Sequence, residues 1–283
     1  PNGANPGGEL LLSGGKFYGG TQGGGSDSLG VLFEYNPAGA GTYTVLHHFY
    51  KGGGRFFNGT LIESSGKFYG AMTAGELGNP IQPGGVLFEY SFSNGYQVML
   101  EFERPRLGAY PFSKMLQSGS ELYGTTILGG ENGVGVLYKY APNTQTYKVL
   151  HHFSMSKGFS PYGDLIWHGG KIYGTTLQAG RDEGGTLFQF DTANGGVHSV
   201  LHTFDVSRDG EILFDGVTAY NGKLYGTAAI GGSHRQGTIY QYDLANGSFT
   251  VAHHFDSING KYPQGGLCLL NGKFYGMTVF GGN

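Results

Sequence analysis

Three adjacent histidine pairs, His47-His48, His151-His152 and His253-His254, are the side chains here best suited by type to hold a metal ion. A zinc site needs three or four convergent ligands, whereas successive residues on a strand point to opposite faces. Equivalent places elsewhere in the chain hold Leu100-Glu101 and His202-Thr203. A position that accepts Leu behaves as a packing position. The pairs therefore read as packing and hydrogen-bonding groups, and no metal or other cofactor is expected.

Acid–base chemistry would fall to polar residues that occur once. Arg181-Asp182-Glu183 and His234-Arg235 occupy the same variable loop of consecutive repeats, and Arg104 with Arg106 lies between repeats. These seven residues form the candidate binding face. A basic group and a His or Tyr beside an acidic sugar could abstract a proton and drive β-elimination, so His234, Arg235 and Arg181 are the catalytic alternative, a lyase-type polysaccharide-active enzyme. Charged loop residues are more often solvated surface, and a non-enzymatic role is the expectation. Asp205 and Asp209, followed by Gly210, lack the spacing and terminal Glu of an EF-hand and read as a turn. Asn58-Gly-Thr60 and Asn246-Gly-Ser248 make Asn58 and Asn246 candidate glycosylation sites, although Asn-Gly is also what a tight turn requires.

The elements that position these residues repeat along the chain. Gly-Lys-Phe-Tyr-Gly at 15–19 returns at 66–70, with variants around Tyr123, Tyr173, Tyr225 and Tyr275. The tyrosines Tyr18, Tyr69, Tyr123, Tyr173, Tyr225 and Tyr275 are successively 51, 54, 50, 52 and 50 residues apart. A fixed period near fifty signals a repeat architecture. Within one period, 163–170 and 171–176 read as a tight hairpin, followed by strands at 185–190 and 197–204. Asn221-Gly222 and Asn271-Gly272 supply the positive φ of a type I′ turn.

Four antiparallel strands per period predict an all-β fold, a β-propeller with kelch-like order and ~51-residue blades, five complete plus a half blade, of six-bladed type. One domain over 1–283 is expected, with repeats at about 8–53, 54–106, 107–157, 158–208, 209–260 and a partial one at 261–283. The short turns joining strands one to two and three to four lie on one side. The variable loops lie on the other, which is expected to be the working face. The repeated tyrosines are expected between blades with their phenols bonded. Trp167 is expected to be buried or near the axis. Seven residues before the repeat tyrosines stand Leu11, Ile62, Leu116, Ile166, Thr218 and Cys268, so the single cysteine is expected to be a small buried hydrophobe.

Charged residues make up only 13% of the 283, and the net charge is -3, which gives no basic face for nucleic acid. No apolar run approaches a membrane span, and Pro1-Asn2-Gly3 resembles neither an initiator Met nor a signal peptide, as in a mature or excised product.

The order Leu-Tyr-Gly-Thr-Thr, Gly-Gly, Gly-Thr-Leu-Phe, Leu-His-x-Phe, seen in 122–126, 129–130, 185–188 and 201–204, resembles the GloVer-type tandem repeats of secreted bacterial proteins with various C-terminal anchors. The likeness covers nearly the whole chain and implies export to the cell surface or beyond, without an assigned activity. Departures are Glu121 where other copies have Lys, and 99–102 in place of Leu-His-His-Phe.

Strand counting leaves the last repeat with two strands, and the tail before Glu9 is too short to supply the other two. Truncation, an open side or completion by another subunit would each explain this. A secreted structural protein that self-associates through its terminal blade, as a filament or surface array, is the expectation. Carbohydrate-binding or adhesive use of the variable loops is the first alternative, with glycans as partners.

Overall fold

The computed structural model describes residues 2–74, 84–103, 106–179, 183–193 and 196–282. The chain divides into two compact units, Pro1–His152 and Phe153–Asn283. The first unit holds three sheets. The strands are β1 (Ala4–Ser13), β2 (Lys16–Gly23), β3 (Val31–Asn36) and β4 (Thr42–His48), then β5 (Ile62–Ser64), β6 (Lys67–Met72), β7 (Val86–Ser91) and β8 (Gly95–Glu101). The third sheet has β9 (Ala109–Pro111), β10 (Leu116–Ser118), β11 (Glu121–Leu128), β12 (Val136–Ala141) and β13 (Thr146–His152). The second unit holds β14 (Ile166–His168), β15 (Lys171–Thr176), β16 (Glu183–Asp191) and β17 (Val197–Asp205), then β18 (Thr218–Tyr220), β19 (Lys223–Ala228), β20 (Thr238–Asp243) and β21 (Phe249–His254). It ends in a half sheet of β22 (Lys261–Pro263), β23 (Cys268–Leu270), β24 (Lys273–Tyr275) and β25 (Thr278–Phe280). No helix among the described residues is long and apolar enough to cross a membrane.

Every full sheet is built on a four-strand antiparallel meander paired in chain order, with β9 added against the end of β11 in the third. The first hairpin closes on residues with positive φ, as at Asn221-Gly222 and Asn271-Gly272, which is the geometry the Asn-Gly pairs predict. Sheets bury their faces against one another within each unit. Tyr18, Leu32 and Phe49 of the first sheet pack with Phe57, Leu61, Phe68 and Phe88 of the second. In the second unit Leu187 and Phe204 pack with Leu213, Leu224 and Tyr240 of the following sheet.

All five full sheets carry a β-bulge at the same place, opposite Leu32/Phe33, Leu87/Phe88, Leu137/Tyr138, Leu187/Phe188 and Ile239/Tyr240. Leu46 is the extra residue in the first sheet, because Leu32 faces His47 while Phe33 faces Val45. The bulge lets two successive residues, Leu46 and His47, both reach the second sheet.

Three expectations are corrected here. β1 begins at Ala4 rather than near Glu9, with a register shift between Gly7 and Leu11. Its leading half pairs with the end of β2, as β9 does with β11, β22 with β25, and the bridges Arg55 to Ala74, Phe159 to Gln178 and Glu211 to Ile230 do elsewhere. Residues 4–7 are thus the entry segment of the first repeat. Trp167 is 36% exposed, because the middle of this short strand faces outward, as Glu63 and Gln117 do in their sheets. Cys268 is exposed, although it pairs with Tyr275 as Leu11 pairs with Tyr18. Among the described residues no sheet covers this face of β23.

Candidate functional site

The variable loops are held by their own backbones. In the second unit, Asp205 Oδ1 accepts from the N–H groups of Ser207 and Arg208, and Asp209 Oδ2 accepts from Asp205 N at 3.1 Å. Those bonds make the 205–210 segment a capped turn. Loops of the two variable families also join each other: Gly232 N–H donates to Val206 O, and Tyr262 N–H to Gln236 O. They therefore share one side, as the strand order predicts.

On that side His234 and Arg235 are exposed, and Arg235 sits at φ 56° in a turn closed onto Gly232 O. Asp256 has its carboxyl held below the usual range, first by the Asn259 and Ile258 N–H groups it caps and to a lesser degree by His234. The Asp256 oxygens are thereby committed to their loop. Arg106 is exposed in the first unit. Arg104, Arg181, Asp182 and the Glu183 side chain lie outside the described residues. Asn58 is half-buried: its amide oxygen accepts from Gln22 and its NH2 donates to Thr73 Oγ1 at 3.3 Å. Asn246 is exposed and accepts from Ser248 N–H within a turn.

The histidine pairs divide their labour. The second member binds a loop: Nδ1 of His48, His152 and His254 accepts from the N–H of Ser26, Glu131 and Ser233 at 3.1 to 3.2 Å. The first-member position packs on the next sheet at His47 and at the equivalent His202. His47 stacks on Tyr96 with centroids 4.2 Å apart and planes 4° apart, and His202 stacks on Phe249 at 3.6 Å and 6°. Burial pushes the His47 pKa down, which keeps the stacked ring neutral.

In the three sheets of the first unit the repeated tyrosine anchors an ion pair, whereas Gln189 and Gln241 face Tyr173 and Tyr225 in the second unit. Tyr18 donates to Glu34 at 2.9 Å while Lys16 pairs with the other oxygen, and Tyr69, Lys67 and Glu89 repeat this arrangement. Lys16 first, and Tyr18 after it, hold the Glu34 carboxyl below its usual pKa against the opposing effect of burial. Burial, helped by Glu34, raises Tyr18 to about 12. Glu121 also finds its explanation here. It replaces the second-strand Lys, and Lys139 replaces the third-strand Glu, so the pair is inverted with Tyr123 still donating to the carboxylate.

A cleft of about 310 Å³ opens on the short-turn side of the first unit, opposite the expected working face. Ser64, Ser65, Ser120, Asn143 and Gln145 line it, above the Lys67 ammonium that Glu89 already holds. This lining can hydrogen-bond a polar molecule.

The half sheet is the other place where the copies differ. β24 has a neighbour on one side only, where β2, β6, β11, β15 and β19 have two. Tyr275 is 53% and Met277 82% exposed, whereas Tyr18, Tyr69, Tyr123 and Tyr173 are buried, as are Ala71, Thr125, Thr175 and Thr227 at the Met277 position.

The family model described as the Gloeobacter/Verrucomicrobia repeat matches residues 1–127 and again 82–283. A search of curated proteins gave no match. Among solved structures, the crystal structure of TolB from Acinetobacter baumannii is similar, with a TM-score of 0.51 and 13% identity over 87% of this chain. The chain spans about half of that protein, 53% of its length. This likeness concerns the fold alone, a β-propeller-type repeat of antiparallel sheets. With its fifty-residue period and the family match over both halves, the chain belongs to the Gloeobacter/Verrucomicrobia repeat family.

Proposed function

We propose that the protein is a non-enzymatic structural β-propeller of six-bladed type that works outside the cell and associates with other copies of itself through its terminal half blade. The exposed face of β24 and β25 carries this reading. Within each unit, a second-strand tyrosine meets an aromatic ring of the next sheet: Tyr18 lies 4.5 Å from Phe68, and Tyr225 4.4 Å from Phe274. Tyr275 presents the same ring to solvent, flanked by Met277 and Val279. The first sheet offers the complementary surface, with Leu10 and Leu12 exposed beside half-buried Phe17, the residue equivalent to Phe68. Stacking one copy's first sheet on another copy's half sheet is a heterologous contact, which propagates as a filament or array when its rotation does not close.

Extracellular placement rests on the resemblance to secreted bacterial repeat proteins. A structural rather than enzymatic role is supported by the histidines, Glu–Lys pairs and loop aspartates, all of which serve the scaffold. Analytical ultracentrifugation with electron microscopy tests the reading. Mass should rise with concentration and give regular assemblies, and the Tyr275→Asp, Met277→Asp double variant should stay monomeric. Wild-type protein that remains monomeric at the highest soluble concentration would sink the proposal.

A further inference from the structure

Turn positions that glycine or asparagine fills elsewhere carry larger polar side chains in one place, around the cleft between the second and third sheets. The turn between the first and second strands is Gly14-Gly15, Gly169-Gly170, Asn221-Gly222 or Asn271-Gly272 elsewhere, but Ser65-Gly66 in the second sheet and Gly119-Ser120 in the third. The turn between the third and fourth strands ends on a left-handed glycine, Gly41, Gly95, Gly196 or Gly247, in the other full sheets, and on Gln145 in the third. Ser65, Ser120 and Gln145 all line the same cleft. Ser65 and Gln145 both sit at φ 53°, in the left-handed region that favours glycine. Neither turn needs these side chains, since glycine or asparagine closes it in the other copies, and holding them there stores backbone strain of the kind found at binding sites.

The cleft is open because an apolar plug is missing. Between the first and second sheets that space is capped by Phe92, the residue after the third strand, whose ring lies 6.4 Å from Tyr18 and 6.1 Å from Phe68. Leu244 holds the same position in the fifth sheet and packs on the cluster that contains Tyr173. In the third sheet the position is Pro142, and a cleft of about 310 Å³ is left beside Tyr69. Its charges are balanced: Glu89 accepts from Tyr69 at 2.9 Å and pairs with Lys67 at 2.9 Å. The other polar lining groups are hydroxyls and carboxamides, each able both to donate and to accept. Near the same carboxylate, the Tyr140 hydroxyl is buried with no hydrogen-bond partner among the described residues.

We infer that this cleft binds a neutral saccharide, held at its hydroxyls by Ser65, Ser120, Asn143 and Gln145, with Pro142 as an apolar wall. Small-molecule pockets begin at about 300 Å³, so the cleft suits about one or two sugar rings. A sugar hydroxyl donates and accepts at once, which matches side chains that do the same. A charged ligand finds no free counter-charge, because Lys67 and Glu89 already neutralise each other. The site lies on the short-turn side, opposite the variable loops, and is independent of association between copies.

Saturation-transfer NMR and chemical-shift titration of the full chain with the neutral disaccharides cellobiose, maltose, lactose and chitobiose test this, with glucuronic acid as the charged control. At least one disaccharide should bind saturably at millimolar or lower concentration, and glucuronic acid should not. The Ser65→Gly, Gln145→Gly double variant should bind about tenfold more weakly while its unfolding temperature is undiminished, because glycine suits both backbone positions. Pro142→Phe, which installs the plug that Phe92 provides in the second sheet, should abolish binding. Failure of every disaccharide to bind, binding unchanged by either variant, or tighter binding of glucuronic acid would overturn the inference.

Discussion

At the scale of single residues, the glycine in the middle of each second strand matters more for what it leaves room for than for its backbone freedom. A methyl on Gly70 would sit 2.4 Å from Phe88 Cζ, in a buried cluster with little room to yield. Gly70→Ala should therefore destabilise the protein by about 1–3 kcal/mol, the range for overpacking a core. Gly276→Ala meets only the end of a leucine and should lie within about 0.5 kcal/mol of wild type. Urea unfolding of the two variants checks the contrast. Some residues disclosed their role in the sequence. The histidine pairs were legible as packing groups because their positions tolerate Leu100 and Thr203, and Tyr18, Tyr69, Tyr123 and Tyr173 as interleaved core because the tyrosine recurs in every copy, although Tyr275 is exposed. Trp167 and Cys268 were not legible. Their exposure depends on which way a three-residue strand turns its middle and on whether another sheet covers the strand, and neither fact is written in the residue type.

At the scale of the strand pair, the inverted Glu121–Lys139 bridge is a natural charge swap. Glu121→Lys places two ammonium groups together and removes the acceptor of the buried Tyr123 hydroxyl. It should cost about 1–2 kcal/mol, mostly through the phenol, since the ion pair itself is partly exposed. Adding Lys139→Glu should recover most of that loss by rebuilding the order of Lys67 and Glu89, and a thermal-melt double-mutant cycle measures the coupling. The hairpins were readable from their Asn-Gly and Gly-Gly turns and alternating apolar residues. The partner of Glu121 was hidden because it lies on the next strand, where only the register brings Lys139 opposite Tyr123. The entry strand at 4–7 was hidden for a different reason. Its Asn-Pro-Gly-Gly run at 5–8 leads into the register shift between Gly7 and Leu11, and that composition reads as loop.

For the whole molecule, the ionisable groups define a pH window. Glu34, Glu121, Asp205 and Asp256 all titrate below their ordinary values in the folded chain. Their stabilisation is complete above the carboxylate pKa of the unfolded chain and is lost as pH falls through the lowered folded values. Tyr18 and Tyr123 lie at about 12, so their neutral phenols stabilise fully below pH 10, and that contribution fades as pH rises through the folded pKa. Unfolding temperatures measured from pH 2 to 12 should show a plateau that falls at both ends, and Glu34→Gln with Glu121→Gln should flatten the acid limb.

The fourth strands, β4, β8, β13, β17 and β21, are the last strands of their sheets, and each offers a row of amide and carbonyl groups on its free side. Flat edges of this kind seed amyloid-like stacking. The bulge shared by all five twists each rim strand away from that flatness, so the repeat that multiplies hazardous edges also multiplies the device that blunts them. Resistance to edge-to-edge aggregation is thus written into the repeat itself, once in every fourth strand that the described residues complete.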